Sequence, residues 1–231
     1  MQSADLWTNA LNILAIQDEE ARAALMSVAE IRHHSKDSAI IAQDDAEDQI
    51  YLILDGSVRV ILLSESGQEI WIDTLETGAV LGEMAVLIGA NRTSSIVADT
   101  DVVSASYAAS DFMDLMENHS ALGIALSRLL AQRVFQTTQR MFALSALSVP
   151  GRVYAELLRI AEPVATKKSR LIEPTPSITD IAMRVNTTRE TVSRTVSDLE
   201  RRGLLKRTTR GFELVDPDQL SRLLTQLTHS P

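Results

Sequence analysis

Apolar residues Leu6, Trp7, Ala10, Leu11 and Leu14 recur at spacings of three and four, which predicts an amphipathic helix at the start of the chain. Asp18 stands where it can cap a second helix running to about Glu30. From Ala39 the period falls to two. Ile50–Leu54 and Val58–Leu63 flank Asp55-Gly56, a pattern that predicts a two-residue hairpin. Glu65-Ser66-Gly67 turns the chain into a strand over Glu69–Leu75, and Thr77-Gly78 turns it again. Ser94–Ala98 and Val102–Tyr107 fit two more short strands. Short strands with turns at this spacing predict an antiparallel barrel or jelly roll.

A helical stretch begins at Asp111, and residues 120–147 read as one long helix with no proline and a single glycine. Leu130, Val134, Thr137, Met141 and Leu144 follow the 4-3-4-3 spacing of a coiled-coil seam. The run is under three heptads, so a helix packed on its own domain stands as the alternative. Ser148-Val149-Pro150-Gly151 breaks the helix, and Pro150 suits the first turn of the next. The break predicts two domains, 1–147 and 148–231.

The second domain reads helix, short extended segment, helix, turn, helix, hairpin, helix. Ser177 caps Ile178–Arg184, while Thr187 and Glu190 form a capping-box pattern before Arg189–Arg202, which Gly203 ends. Leu204–Arg207 and Phe212–Val215 flank Thr208–Gly211 as a β-wing. Asp216-Pro217 opens a last helix with Leu220, Leu223, Leu224 and Leu227 on its apolar side. The fold class is therefore α+β.

Composition narrows the chemistry. The 231 residues are 45% hydrophobic and 23% charged, ordinary values for a chain that buries a core. The absence of cysteine excludes disulfides, thiolate metal sites and cysteine nucleophiles. No apolar run approaches the roughly 18 residues of a membrane span, and the first residues lack a secretory pattern, so the cytoplasm is expected. The net charge of −9 is unevenly placed. Residues 1–147 hold 8 basic against 21 acidic side chains, and residues 148–231 hold 14 against 10. Arg184–Arg210 alone holds 8 against 3. The second domain can meet a polyanion, or carries a solvated basic face.

The helices flanking Val185-Asn186-Thr187 have the length of a helix-turn-helix, and Asn186 tolerates the left-handed turn. On the second of them Val192, Val196 and Leu199 share one side, and Arg189, Glu190, Ser193 and Arg194 fall on the other. Arginine there can donate twice to guanine, and glutamate can accept from cytosine. The plainer reading makes Glu190 a cap and the arginines solvated. The segment ITDIAMRVNTTRETVSRTVSDLERRGLLKR resembles the winged helix-turn-helix of the CRP/FNR family. That resemblance implies that Thr188, Arg189, Glu190, Ser193, Arg194, Lys206 and Arg207 contact double-stranded DNA, with Arg189, Glu190 and Arg194 reading a TGTGA-like half-site.

Upstream, GEMAVLIGANRTSSIVA resembles the phosphate-binding cassette of cyclic-nucleotide-binding domains. Gly82 allows close backbone approach, the amides of Glu83–Ile88 can face an anion, Arg92 supplies a forked cation and Thr93 a hydroxyl. Glu83 suits a ribose 2′-hydroxyl, and an internal Glu83–Arg92 ion pair is the alternative. The resemblance implies a site of Gly82, Glu83, Met84, Ala85, Arg92 and Thr93, joined by Arg133, Thr137 and Thr138 of the long helix. It also implies a homodimer paired through residues 120–147, with cyclic AMP as effector and RNA polymerase as a further partner. The Arg92-Thr93 pair also resembles cyclic-GMP sites. An enzyme of cupin type would need metal ligands or an acid/base pair in the barrel, and the sequence offers none beyond Glu83. His33-His34 precede the strands and read as exposed. No catalytic residue, metal site or membrane segment is expected. A DNA binder whose pocket takes no ligand is the remaining alternative.

Overall fold

The chain begins with α1 (Gln2–Ile13) and α2 (Glu19–Val28), the second capped by Asp18, which accepts from the backbone N–H of Glu20 and Ala21. Six strands follow: β1 (Glu30–His34), β2 (Ala39–Ile41), β3 (Ile50–Asp55), β4 (Ser57–Leu63), β5 (Glu69–Glu76) and β6 (Val80–Leu81). Then come α3 (Glu83–Ile88), β7 (Ser95–Ala98), β8 (Val102–Tyr107), α4 (Ala109–Asn118) and the long α5 (Ser120–Ala146). The structure, a computed structural model, describes residues 2–64, 69–164 and 168–228, with side chains from 4 to 225 among these. The expected turn at Glu65-Ser66-Gly67 and the side chain of Leu227 lie outside the described residues. The chain divides into two units, one ending at Val134 and one beginning at Phe135.

In the first unit two four-stranded antiparallel sheets run in the orders β1-β8-β3-β6 and β2-β7-β4-β5. Strand alternation gives β3 two cores. Ile50, Leu52 and Leu54 pack with Trp7, Leu11, Phe112 and Leu126 of the helices. Tyr51 and Ile53 face inward with Ile40, Val58, Leu81 and Ile96, between the sheets.

Two expectations change here. Asp55-Gly56 closes no hairpin: β3 pairs with β6 and β8, and β4 pairs with β5 and β7. The turn instead carries the chain from one sheet to the other. Gly56 has φ +91°, and a Cβ there would lie 2.4 Å from the Asp101 carbonyl oxygen. The dipeptide marks a left-handed turn correctly but does not specify which strand pairs with which. His33 and His34 lie within β1 rather than before the strands; His33 is exposed, but His34 is half-buried, with Nε2 2.9 Å from Ser104 Oγ.

The second unit holds α6 (Val149–Ile160), β9 (Glu162–Pro163), β10 (Arg170–Ile172), α7 (Ile178–Arg184), α8 (Arg189–Arg201), β11 (Leu205–Arg207), β12 (Phe212–Leu214) and α9 (Pro217–Thr228). A sheet ordered β11-β12-β10-β9 joins the wing to the extended segment. Val153, Leu157, Ile181, Val192, Val196, Leu199 and Phe212 form its core. Ser177 caps α7, and Asn186 takes φ +50° between α7 and α8. The cap of α8 is Thr188, not Thr187: its side chain accepts from the Thr191 N–H.

Gly56→Ala should cost about 1–3 kcal/mol, since the new Cβ meets a carbonyl and the backbone conformation is strained. Thermal unfolding measures it, and an unchanged midpoint would contradict the sheet-to-sheet corner.

Candidate functional site

β6 delivers the chain to Gly82, which has φ +78° and caps α3. A Cβ on Gly82 would lie 2.5 Å from Arg92 Nη1 and 2.7 Å from the Gln49 carbonyl oxygen, so this position needs glycine twice over. Arg92 is 2% exposed. It donates from Nη1 to the Gly82 carbonyl at 2.9 Å and from Nη2 to the Gln49 carbonyl at 2.5 Å. Its Nε is buried with no hydrogen-bond partner among the described residues. The guanidinium expected to face an anion is thus turned onto two backbone carbonyls, with one nitrogen, Nε, left without a partner among the described residues.

Glu83 is 2% exposed, and its ion partner is Arg133 of α5 rather than Arg92. Arg133 also donates from Nη2 to the Val80 carbonyl at 2.7 Å, so it bridges the cassette and the strand before it. Burial pushes the Glu83 carboxyl above its ordinary range, and Arg133, the Glu83 backbone N–H and Arg92 pull against that rise. Ala85 is buried, while Met84 and Thr93 are exposed. Thr137 and Thr138 stand exposed on α5, within the second unit.

The sequence reading missed a polar cluster beside Arg92. Gln49 Oε1 accepts from Tyr51 Oη at 2.9 Å and from Ser106 Oγ at 3.2 Å. Ser104 and Ser106 are buried on β8. Serine at alternate positions of a buried strand was the available signal, since apolar residues are the rule there.

Leu130 of the expected seam is half-buried against the first unit's helical core. Further along α5, Val134 (66% exposed), Phe135 (63%), Met141 (65%) and Phe142 (57%) leave a broad apolar stripe on the surface.

On α8, Val192, Val196 and Leu199 are fully buried, while Arg189, Glu190, Ser193 and Arg194 are exposed, as the periodicity predicts. The Glu190 backbone N–H and the Thr188 hydroxyl hold the Glu190 carboxyl below its ordinary range. Lys206 is exposed on the wing. Arg207 is engaged within the chain: its Nε lies 2.6 Å from Glu200 Oε1 and its guanidinium 5.5 Å from the centre of the Phe212 ring.

Comparison with known proteins gives a consistent pattern. The family model of the cyclic nucleotide-binding domain matches residues 31–119, and that of the Crp-like helix-turn-helix domain matches residues 151–223. The CRP-like cAMP-activated global transcriptional regulator of Mycobacterium tuberculosis is 26% identical over 185 residues, 79% of this chain and 83% of that protein. The cAMP-activated global transcriptional regulator CRP of Salmonella typhimurium is 28% identical over 182 residues, 78% of this chain and 87% of that protein. Among solved structures, the c-di-GMP responsive global regulator CLP of Xanthomonas campestris has a TM-score of 0.73 at 18% identity, covering 86% of this chain and 99% of that one, a likeness of fold. Among the described residues no helix is long and apolar enough to cross a membrane.

The buried Glu83 gives the fold a pH signature. Its carboxyl titrates higher in the folded chain than in the unfolded one. Its contribution to stability is therefore present below the unfolded value and is lost as pH rises through the raised folded value. Wild type should lose stability relative to Glu83→Gln across that window. Denaturant unfolding of both at several pH values checks this, and a gap that widens in favour of wild type would contradict the assignment.

Proposed function

Because the chain belongs to the CRP/FNR family of transcription regulators, we propose that it is a dimeric, sequence-specific DNA-binding regulator gated by a cyclic nucleotide. Cyclic AMP is the favoured effector and TGTGA-like sequences the favoured half-sites. The observation that carries the reading is the buried Glu83–Arg133 pair, which fastens the cassette to α5. Whatever binds at Glu83 acts on the helix that bears the exposed apolar stripe.

The residues present fit a ribose cyclic phosphate. Arg92 keeps an unpartnered buried N–H donor, and Glu83 offers an acceptor beside it in the cassette. When bound, the nucleotide supplies a negative phosphate and a sugar hydroxyl to this pair. Arg92 and Glu83 would hold it, with Gly82, Met84, Ala85 and Thr93 around them and Arg133, Thr137 and Thr138 contributed by α5.

The stripe of Val134, Met141 and Leu144 supports pairing of two copies along α5, which removes exposed apolar surface from water. Paired chains present two α8 helices, and the break at Ser148–Gly151 sets their separation near one DNA turn, about 34 Å. Effector and DNA are then coupled, each tightening the other by the same factor. RNA polymerase is the further partner, and the cytoplasm the place of action.

Calorimetric titration of the purified chain with cyclic AMP and cyclic GMP tests the gating. Arg92→Ala should abolish binding of either, and Glu83→Ala should weaken both. Loss of one buried purine-edge contact is worth about 1–3 kcal/mol, roughly 5–150-fold. A Thr93→Ala effect confined to cyclic GMP would make that nucleotide the effector, and binding of neither by wild type would end the gating reading.

For DNA, Arg189→Ala and Arg194→Ala should each cost about 1–3 kcal/mol at their base pair and relax specificity there. Lys206→Ala should weaken all sequences alike. Competition binding on specific and scrambled duplexes separates the two classes, and equal losses for all three variants would defeat the base-reading assignment.

A further inference from the structure

One polar stripe interrupts the otherwise apolar packing of α6. Arg152, Glu156 and Arg159 stand four and three residues apart and so share a face of the helix. Val153, Tyr154 and Leu157 face the core. Glu156 is a carboxylate only 9% exposed. Arg159 grips it with both prongs, Nη2 to Oε1 at 2.6 Å and Nε to Oε2 at 2.8 Å. Arg184 Nη1 reaches the same Oε1 from α7, at 3.5 Å.

Arg184 is the last residue of α7, two positions before the left-handed Asn186. The turn itself is also touched from α6: Arg152 Nη1 donates to the Asn186 carbonyl at 3.4 Å. Arg152 is half-buried, and its Nε is buried with no hydrogen-bond partner among the described residues. One face of α6 thus holds both the end of α7 and the turn that launches α8.

A buried charge is a poor way to gain stability, because an apolar side chain of similar volume does as well without the desolvation cost. What an ion pair gives that an apolar contact does not is direction. The fork from Arg159 fixes the Glu156 carboxylate on α6, and the single contact of Arg184 to its Oε1, at 3.5 Å, ties the end of α7 to that fixed point. Three residues after Asn186 the chain reaches Arg189 and Glu190, so a small error at the turn is carried into the exposed face of α8.

We propose that Glu156 is a positioning residue for DNA recognition: with Arg152 it fixes the α7–α8 turn to α6 and so aims Arg189 and Glu190. This rests on the DNA-binding reading above and adds a route for its regulation. α6 begins at the break that follows α5, and any displacement of α6 is handed to the recognition helix through Glu156–Arg184 and Arg152–Asn186.

The test uses the full-length chain with Glu156→Gln, which keeps size and one acceptor, and Arg184→Met, which keeps length. Amide hydrogen exchange is followed at residues 185–188 and in the α8 core, beside global unfolding. Affinity is measured on a duplex with two TGTGA half-sites and on a scrambled duplex of equal composition. Both variants should speed exchange in the turn, leave the Glu156→Gln unfolding midpoint in place, and weaken the TGTGA duplex about tenfold with little change on the scrambled one. Unchanged exchange in the turn overturns the proposal, as does faster exchange with intact discrimination. A fall in unfolding midpoint with equal losses on both duplexes shows a structural brace only and also overturns it. If wild type itself binds the two duplexes alike, the DNA reading fails, and with it the aiming role, while the exchange rates still report whether the brace exists.

Discussion

A carboxylate withdrawn from water has to be answered by a cation, and in this chain that requirement joins the β-roll to the long helix. Glu83 opens α3 with 2% of its surface exposed, where an unpaired charge would be expensive. Its partner, Arg133, comes from α5, and the same guanidinium takes the Val80 carbonyl. The cassette therefore adopts its shape with α5 in place, and α5 is held at the point where its surface turns apolar. Burial and the ion pair pull the Glu83 carboxyl in opposite directions, and burial wins. A group so balanced is sensitive to anything that changes its hydrogen bonds, which is the property an effector site needs.

Arg92 meets the same constraint in another way. Its side chain is as buried as that of Glu83, but it is answered by two backbone carbonyls. Gly82 makes this possible, because any side chain there would occupy the space of the Arg92 guanidinium. The glycine and the arginine, ten residues apart, are thus one feature. Without α3's left-handed cap at Gly82 the arginine would keep only the Gln49 carbonyl.

Much of this was legible in the sequence, and the parts that were not share a cause. Periodicity located the helices, the apolar side of α8 and five of the eight strands of the first unit, with β2 marked only by the change of period at Ala39 and β6 not marked at all, because burial on one face leaves a repeating pattern. It did not specify partners. Asp55-Gly56 looks the same at a hairpin and at a corner between sheets; the difference lies in Asp101, some 45 residues away. β1 escaped notice because Glu-Ile-Arg-His-His has no apolar alternation, and pairing with β8 holds it nonetheless. The cap of α8 shifted by one residue because Thr187 and Thr188 carry the same hydroxyl. For the candidate site, the cassette motif pointed to Glu83 and Arg92, and both are buried in the structure. The Glu83–Arg133 pairing was not legible, since fifty residues and a change of element separate them.

The basic character of residues 184–210 also needs geometry before it means anything. Of its eight basic side chains, Arg184, Arg201, Arg202 and Arg207 are paired to Glu156, Asp198 or Glu200 within the chain. Arg189, Arg194, Lys206 and Arg210 are exposed and take no acidic partner within 4.0 Å among the described residues. Net charge alone cannot separate these groups, because a paired arginine counts the same as an open one. Two of the open residues lie on the exposed face of α8 and two on the wing, so what faces outward is two short lines of positive charge. The paired arginines hold the elements that carry those lines. Arg207 anchors the wing strand to α8 through Glu200 and lies over the Phe212 ring of the neighbouring strand, and Arg184 anchors α7 to α6. Local charge excess thus divides between contact and scaffold, and the division is fixed by which acidic residues the fold brings within reach.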